Sequence, residues 1–356
     1  ARTMRLLHTA DLHLGRGEGR TLEALDALLT TAAREEVDAL TVGGDLFDSV
    51  ADADELRPTL RERFTDNPFE VLVVPGNHDA AAFDGNVEFG PDLSVLSTDP
   101  YETRAVDDGT VVGVPYRDEL GEELFFALQD HADDAVLLLH CTLDAGFAAS
   151  ATGEDERTGY FPVQKETLGE LGYEFVLAGH VHSDLYQTKL PNGGLFIYPG
   201  SPVAHSWSEL GRRHAVLVDT DDDNVQPVAL DTHYRDRFAE TATPGGGYDV
   251  IDRVERWVAG HDADRADLEV RVGGFTEIDE TAFDERLRAV AGPATVRNET
   301  RGVAAVLDHP IYEDFVARLD DLDLEAYDRV DDREQVERRL VDTLAHLLET
   351  GEVTHV

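Results

Sequence analysis

With 356 residues the chain has room for two or three domains, and a hydrophobic content of 42% excludes a disordered protein. It carries 74 acidic against 30 basic residues, a formal net charge of −44, and Lys165 and Lys189 are its only lysines. No run of about 18 apolar residues and no charged, apolar, small-residue succession at the start is present, so a soluble, cytoplasmic protein with no membrane partner is expected.

The opening reads as "MRLLHTA" strand, "TLEALDALLTTAAREEV" helix, "DALTVGG" strand, "ADELRPTLRERF" helix and "EVLVVPG" strand, a βαβαβ start. Further runs, "ETRAV", "TVVGVP", "AVLLLH", "EFVLAGH", "LYQTKL", "GLFIYPG", "HAVLVDT" and "VQPVAL", follow with fewer helices between them. A sheet that begins parallel and ends in hairpins predicts two sheets covered by helices. Cys141 stands alone, which excludes an intramolecular disulfide and a thiolate metal cluster, and reads as a small buried hydrophobe.

"PGGGYD" at 244–249 reads as a hinge. Beyond it a helix ("YDVIDRVERWV"), a strand ("DLEVRV"), a helix ("ETAFDERLRAVA") and a strand ("ATVRNET") make a small α/β unit, and from His309 the pattern is helical. The expected domains are therefore 1–235, a small capping domain at 236–305 and a helical segment at 306–356. That last segment carries Val336, Leu340, Leu344, Leu347 and Leu348 as one apolar stripe, which either packs on its own domain or docks a partner.

Five of the strands share an ending. "LLHTADLH" delivers Asp11 and His13, "LTVGGDLFD" Asp45 and Asp48, "VLVVPGNHD" Asn77, His78 and Asp79, "VLLLH" His140, and "VLAGHVH" His180 and His182. In an extended segment residues i and i+2 point the same way, so His180 and His182 share a face. Carboxyl ends of strands are where α/β sheets place ligand sites. Glycines before Asp45, Asn77 and His180 let the backbone turn sharply into such a site. Carboxylate, amide and imidazole donors without thiolate suit Mn²⁺ or Fe²⁺ and leave Zn²⁺ open; two such ions clamp the attacking and leaving oxygens of a phosphoryl displacement.

The set D-x-H, G-D-x-x-D, G-N-H-D, H and G-H-x-H, in that order, resembles the calcineurin-like metallophosphoesterases. More narrowly, "MRLLHTADLHLG", "GGDLFDS", "VPGNHD", "LAGHVH" and "YPGSPVAHSW" are similar to the SbcD-type double-strand-break-repair nucleases of the Mre family, over about residues 4–218. The resemblance implies an α/β two-sheet metallophosphoesterase sandwich flanked by helices, with a small α/β capping domain and C-terminal helices. It implies one metal on Asp11, His13, Asp45 and His182, a second on Asp45, Asn77, His140 and His180, and His78 as general acid or phosphate-orienting group. Asp48, where archaeal nucleases often carry histidine, points to the bacterial SbcD or YhaO-like branch and is expected to accept a hydrogen bond from His78.

The implied function is a DNA nuclease with two divalent ions, Mn²⁺ first, working on DNA with an SbcC-type coiled-coil ATPase that the C-terminal helices grip; a homodimer stays open. A phosphatase of small phosphoesters or cyclic nucleotides and a non-catalytic scaffold are the alternatives. Around the site, His8 reads as a buried, satisfied histidine, Arg16 and Arg20 as phosphate contacts or solvated cations, and Ser201 and His205 as turn residues beside the metals.

Acid spread along the whole chain, with almost no lysine, reads as adaptation to a high-salt cytoplasm. At about 1 M salt the Debye length is roughly 3 Å, so the charge does not exclude a DNA or phosphate substrate. The melting temperature is therefore expected to rise from low to molar KCl; a flat or falling series removes the halophilic reading.

Overall fold

The computed structural model describes residues 4–17, 19–85, 87–132, 135–144, 161–221, 224–243, 246–303, 306, 310–320, 333, 336, 339–341, 343 and 344. They divide into two units, between Arg235 and Asp236. Of the stretch at 244–249 expected as a hinge, residues 244 and 245 lie outside the described residues. Among the described residues no helix is long and apolar enough to cross a membrane.

The first unit opens with β1 (Arg5–Thr9), α1 (Arg20–Arg34), β2 (Ala39–Val42), α2 (Val50–Arg63) and β3 (Glu70–Val73), then a 3-10 turn (Ala80–Phe83) and β4 (Leu93–Val95). There follow β5 (Glu102–Val106), β6 (Gly109–Val114), α3 (Glu122–Gln129), β7 (Ala135–His140), β8 (Thr142–Leu143), β9 (Pro162–Val163), α4 (Lys165–Leu171) and β10 (Phe175–Gly179). It closes through β11 (Tyr186–Lys189), β12 (Leu195–Tyr198), β13 (His214–Asp219), β14 (Asn224–Ala229) and the start of β15 (Tyr234–Ala242).

Two six-stranded sheets result, in the orders β14-β13-β1-β2-β3-β4 and β11-β12-β10-β7-β6-β5. In the first, β1 to β4 run parallel, with β13 antiparallel to β1. In the second, β6, β7, β10 and β12 run parallel, with antiparallel β5 and β11 at the edges.

Alternation along the strands builds three apolar layers. Leu7, Leu40 and Val73 point outward to Leu25, Leu28 and Leu60 of α1 and α2. Leu6, Leu72, Leu138, Leu177 and Val216 meet between the sheets. Leu137, Leu139 and Val176 point outward to Leu124, Leu128, Leu168 and Leu171 of α3 and α4. This is the two-sheet sandwich flanked by helices that the resemblance implied. His8 lies in the same inter-sheet layer, its Nε2 donating to Ala178 O at 3.2 Å while Nδ1 lies 3.1 Å from the Thr41 hydroxyl, so it is buried and satisfied.

The second unit holds the sheet β15-β16-β17, with β16 (Ala266–Thr276) and β17 (Thr295–Gly302) parallel. α5 (Gly247–Ala259) and α6 (Glu280–Ala291) cover one face through Val250, Val254, Phe283 and Leu287 on Val270 and Val272. Away from this core, Glu269, 3% exposed, gathers Arg237, Arg271 and Arg297 through their Nε atoms at 2.6, 3.0 and 2.8 Å. α7 (Pro310–Asp320) follows. Of the C-terminal stripe, Leu340 and Leu344 pack with Phe275, Val303 and Val306 of the same unit, so that part of it is covered by its own chain. Leu347 and Leu348 lie outside the described residues.

The inter-sheet layer fixes the spacing of every strand tip. Leu177, fully buried there, should cost about 2–5 kcal/mol on substitution by alanine. Chemical denaturation in molar salt measures it; a loss under about 1 kcal/mol would contradict the placement.

Candidate two-metal active site

β1, β2 and β3 are neighbours in one sheet, β7 and β10 in the other, and the segments leaving their carboxyl ends converge. The backbone there is forced. Asp11, His13, Asp45 and His180 have φ of 57°, 47°, 52° and 108°, left-handed values that cost a non-glycine residue on the order of 1–3 kcal/mol each. They persist because the loops lock one another: Asp11 N–H donates to Gly44 O at 3.1 Å and His13 N–H to Asp45 O at 3.0 Å. Asp79, wholly buried, clasps the Gly76 and Phe47 N–H groups at 2.8 and 3.2 Å. Of the three glycines expected to bend the chain, Gly44 does so, with φ 97°. The other two serve close approach: a Cβ on Gly76 would lie 2.1 Å from Asp45 Oδ1, and one on Gly179 2.1 Å from Gly43 O.

The donors meet in two groups. Metal-binding atoms of Asp11, His13 and His182 lie within 4.8 Å of one another, as do those of Asp11, Asp45 and His140. Asp45 Oδ2 faces both sides, 3.8 Å from His13 Nε2 and 3.4 Å from His140 Nε2, while its Oδ1 accepts from His78 N–H at 2.9 Å. Asn77 Oδ1 lies 2.9 Å from His140 Nε2, and the His180 ring sits 5.2 Å from that of His140. The His180 N–H donates to the Asp11 carboxylate at 3.0 Å.

The chemistry of this set fits cations. His140 Nδ1 lies 2.8 Å from Gly43 O, an acceptor only, so Nδ1 carries the proton and Nε2 a lone pair. That lone pair meets the Asn77 oxygen and the Asp45 carboxylate. Burial pushes His13 down to about 4, and His140 and His180 to about 3, so all three are neutral near pH 7 and free to ligate. Buried carboxylates and bare nitrogens pointing at one another are costly unless a positive charge lies among them. The two groups share Asp11, and Asp45 Oδ2 faces a histidine of each; together they support two divalent ions.

The surrounding contacts correct and extend the sequence reading. Asp48 was expected to accept a hydrogen bond from His78; its Oδ1 lies 3.2 Å from His13 Nδ1, with a ring nitrogen of His78 also within 4.8 Å of the pair. Contact with His13 also holds the Asp48 carboxyl below the usual carboxylate range. His78 is exposed, its ring edge-on to His13 at 4.8 Å, placing an accessible imidazole at the mouth. Arg16 lies near enough for its charge to act on Asp48 and His205. Arg20 Nη1 is 2.8 Å from His233 Nε2.

Ser201 and His205 prove to be more than a turn. His205 Nε2 lies 3.0 Å from Asp11 O, and its ring stands 5.2 Å from that of His13. Ser201 Oγ donates at 2.9 Å to Glu209, a residue the sequence reading missed. Glu209 is 2% exposed and turns Oε1 toward His182 Nδ1 at 3.6 Å. Burial by itself would raise its carboxyl, but the contact and charge of His182, with His205, outweigh it and hold Glu209 down at about 2. Its position four residues after His205, just beyond the segment "YPGSPVAHSW", was the available signal.

A two-sheet sandwich with carboxylate, amide and imidazole donors for two ions at its strand tips defines a metallophosphoesterase. The calcineurin-like phosphoesterase family matches residues 4–184, half of the chain, and the protein belongs to that family. Among curated relatives, the SbcD subunit of nuclease SbcCD from Bacillus subtilis is 30% identical over 259 residues, covering 60% of this chain and 66% of that one. The SbcD subunit of the same nuclease from Escherichia coli K12 is 40% identical over 89 residues, 22% of each chain. The uncharacterized metallophosphoesterase YhaO of Bacillus subtilis is 25% identical over 239 residues, covering 60% of this chain and 56% of that one. The chain thus spans less than two thirds of the length of these relatives.

The buried histidines set a pH dependence. His8, His13, His140, His180 and His205 have folded values of about 3–4 against 6.5, so between these limits they bind protons only when the chain unfolds. The stability that these five contribute to the metal-free protein is then full above about pH 6.5 and falls as pH drops toward 4, each group contributing up to about 1.4 kcal/mol per unit. Asp79, raised to about 8 by burial and by Asp45, acts in the opposite sense, one group against five. A melting temperature in molar KCl that does not fall between pH 7 and pH 5 would contradict this site.

Proposed function

We propose that the protein is a metal-dependent phosphodiesterase that cleaves DNA in double-strand-break repair, as the nuclease component of a complex with an SbcC-type ATPase in a high-salt cytoplasm. The observation that carries the hydrolase part is the carboxylate of Asp45 facing His13 and His140, which come from different sheets. What supports DNA as the substrate is the likeness to the SbcD subunits of nuclease SbcCD from both Bacillus and Escherichia, together with a second unit beyond the phosphoesterase domain.

In this reading Asp11, His13, Asp45 and His182 hold one ion, and Asp45, Asn77, His140 and His180 the other. Mn²⁺ is favoured by hard oxygen donors mixed with imidazole and by the absence of thiolate. The ions supply Lewis-acid stabilisation of the charge that develops on the phosphoryl group. The remaining work belongs to the chain. Asp48 fixes the His13 ring from behind. His78, exposed beside His13, is placed to act as general acid toward a leaving alkoxide. Arg16, at the rim near Asp48 and His205, offers a cation to an entering phosphate. The domains follow as 1–235 for catalysis, 236–305 as a cap and 306–356 as helices toward the ATPase, with Leu340 and Leu344 already engaged by the cap.

Single- and double-stranded DNA should be compared with p-nitrophenyl phosphate esters, with Mn²⁺ in molar salt. Hydrolysis of DNA is expected to dominate; activity confined to the small esters would leave a phosphatase. His78→Ala should keep both ions and the fold but lose about 10²- to 10⁴-fold in rate, as for a removed general acid. Loss of an ion in that variant would make His78 a ligand instead.

A further inference from the structure

Glu209 stands outside both donor groups, yet its surroundings are more constrained than those of several ligands. Its Oε2 accepts from the His205 N–H at 2.8 Å and from Ser201 Oγ at 2.9 Å. Its Oε1 accepts from Ser206 Oγ at 3.1 Å and faces His182 Nδ1 at 3.6 Å. The backbone it braces is braced again: Arg213 donates Nη2 to His182 O at 2.6 Å and Nε to Ser201 O at 2.9 Å, and Ser201 N–H donates to His182 O at 3.1 Å. The other edge of the imidazole looks into the site, Nε2 lying 3.3 Å from His13 Nε2 and 3.6 Å from Asp11 Oδ1.

We propose that Glu209 is a positioning residue that selects the tautomer of His182, holding the proton on Nδ1 so that the Nε2 lone pair is presented to the metal. A carboxylate has no proton to give, so the nitrogen it faces is stabilised as N–H and the opposite nitrogen is left bare. At 3.6 Å the contact is longer than a full hydrogen bond. The negative charge nonetheless acts across a gap between the buried Glu209 and the largely buried His182, where the preference survives. His140 reaches the same state by a different device, the carbonyl of Gly43. His182 has a side-chain carboxylate in that place, and a side chain can be replaced without moving the backbone.

The hydrogen-bond pattern dictates what Glu209→Gln does. The position of Oε2 must remain an acceptor, because the His205 N–H can only donate. The glutamine oxygen therefore takes that place, and its NH₂ falls where Oε1 was, satisfied by the Ser206 hydroxyl and aimed at His182 Nδ1. An N–H donor there favours a bare Nδ1 and moves the ring proton to Nε2, which closes the ligand. The change is isosteric, so the fold is kept while one ligand is lost.

The inference rests on the two-metal reading of the site, not on the identity of the substrate. Two measurements on the full chain, stripped of metal with chelator in molar KCl, test it. In ¹⁵N-histidine NMR, His182 of the metal-free wild type should show the long-range pattern of a protonated Nδ1, and Glu209→Gln that of a protonated Nε2. Calorimetric titration with Mn²⁺ should show two binding events in the wild type, one of them weakened about 10- to 100-fold in the variant at unchanged melting temperature. Two events of wild-type affinity in Glu209→Gln, with the tautomer unmoved, would overturn the role of Glu209 and leave the metal site standing. A wild type that binds no ion would overturn both. If the variant does not fold, the wild-type tautomer decides alone: a protonated Nε2 in the metal-free protein refutes the proposal.

Discussion

Asp45 is a carboxylate 1% exposed, with one oxygen toward histidines that come from two different sheets. A charge so placed is costly unless cations share it, and much of the first unit is arranged around that requirement. The sandwich brings the tips of β1, β2 and β3 against those of β7 and β10. Glycines at 44, 76 and 179 allow backbones and the Asp45 side chain to close to distances that a Cβ would forbid. The strain in four left-handed residues is held by loop-to-loop hydrogen bonds and by the Asp79 clasp.

Most of the fold was legible because its strands are short apolar runs with donors close behind them. Where the pattern is strong, as in "VLAGHVH", strand, tip and ligand pair can be read together. Helices α3 and α4 were not, since eight and seven residues are too few to show a clear period between strands. The stripe at 336–348 shows the opposite limit. Its spacing announced an apolar face, but not that Leu340 and Leu344 would find Phe275, Val303 and Val306 in their own unit.

The candidate ligands were legible for the same reason as the strands, whereas their supports were not. That Asp48 lies against His13 Nδ1 is a matter of how two loops meet, which leaves no mark in residue spacing. Glu209 lies 27 positions from His182 and reaches it because the β11–β12 hairpin turns the chain back, with Arg213 bonded to both Ser201 O and His182 O. Ligands follow strands, and strands have a period; the groups that orient ligands follow loops, which have none. The acidity is a third case, visible at once in composition, with its consequence set by the salt around it.

If one carboxylate serves two ions, Asp45→Ala is the variant that shows it most directly. Metal content after dialysis and calorimetric titration should be compared between the wild type and this variant in molar KCl. Two divalent ions per wild-type chain are expected, and the loss of both in the variant, because Asp45 Oδ2 faces a histidine of each donor group. An Asp45→Ala protein that still bound one ion at wild-type affinity would show that the two groups are independent, and would contradict the shared carboxylate.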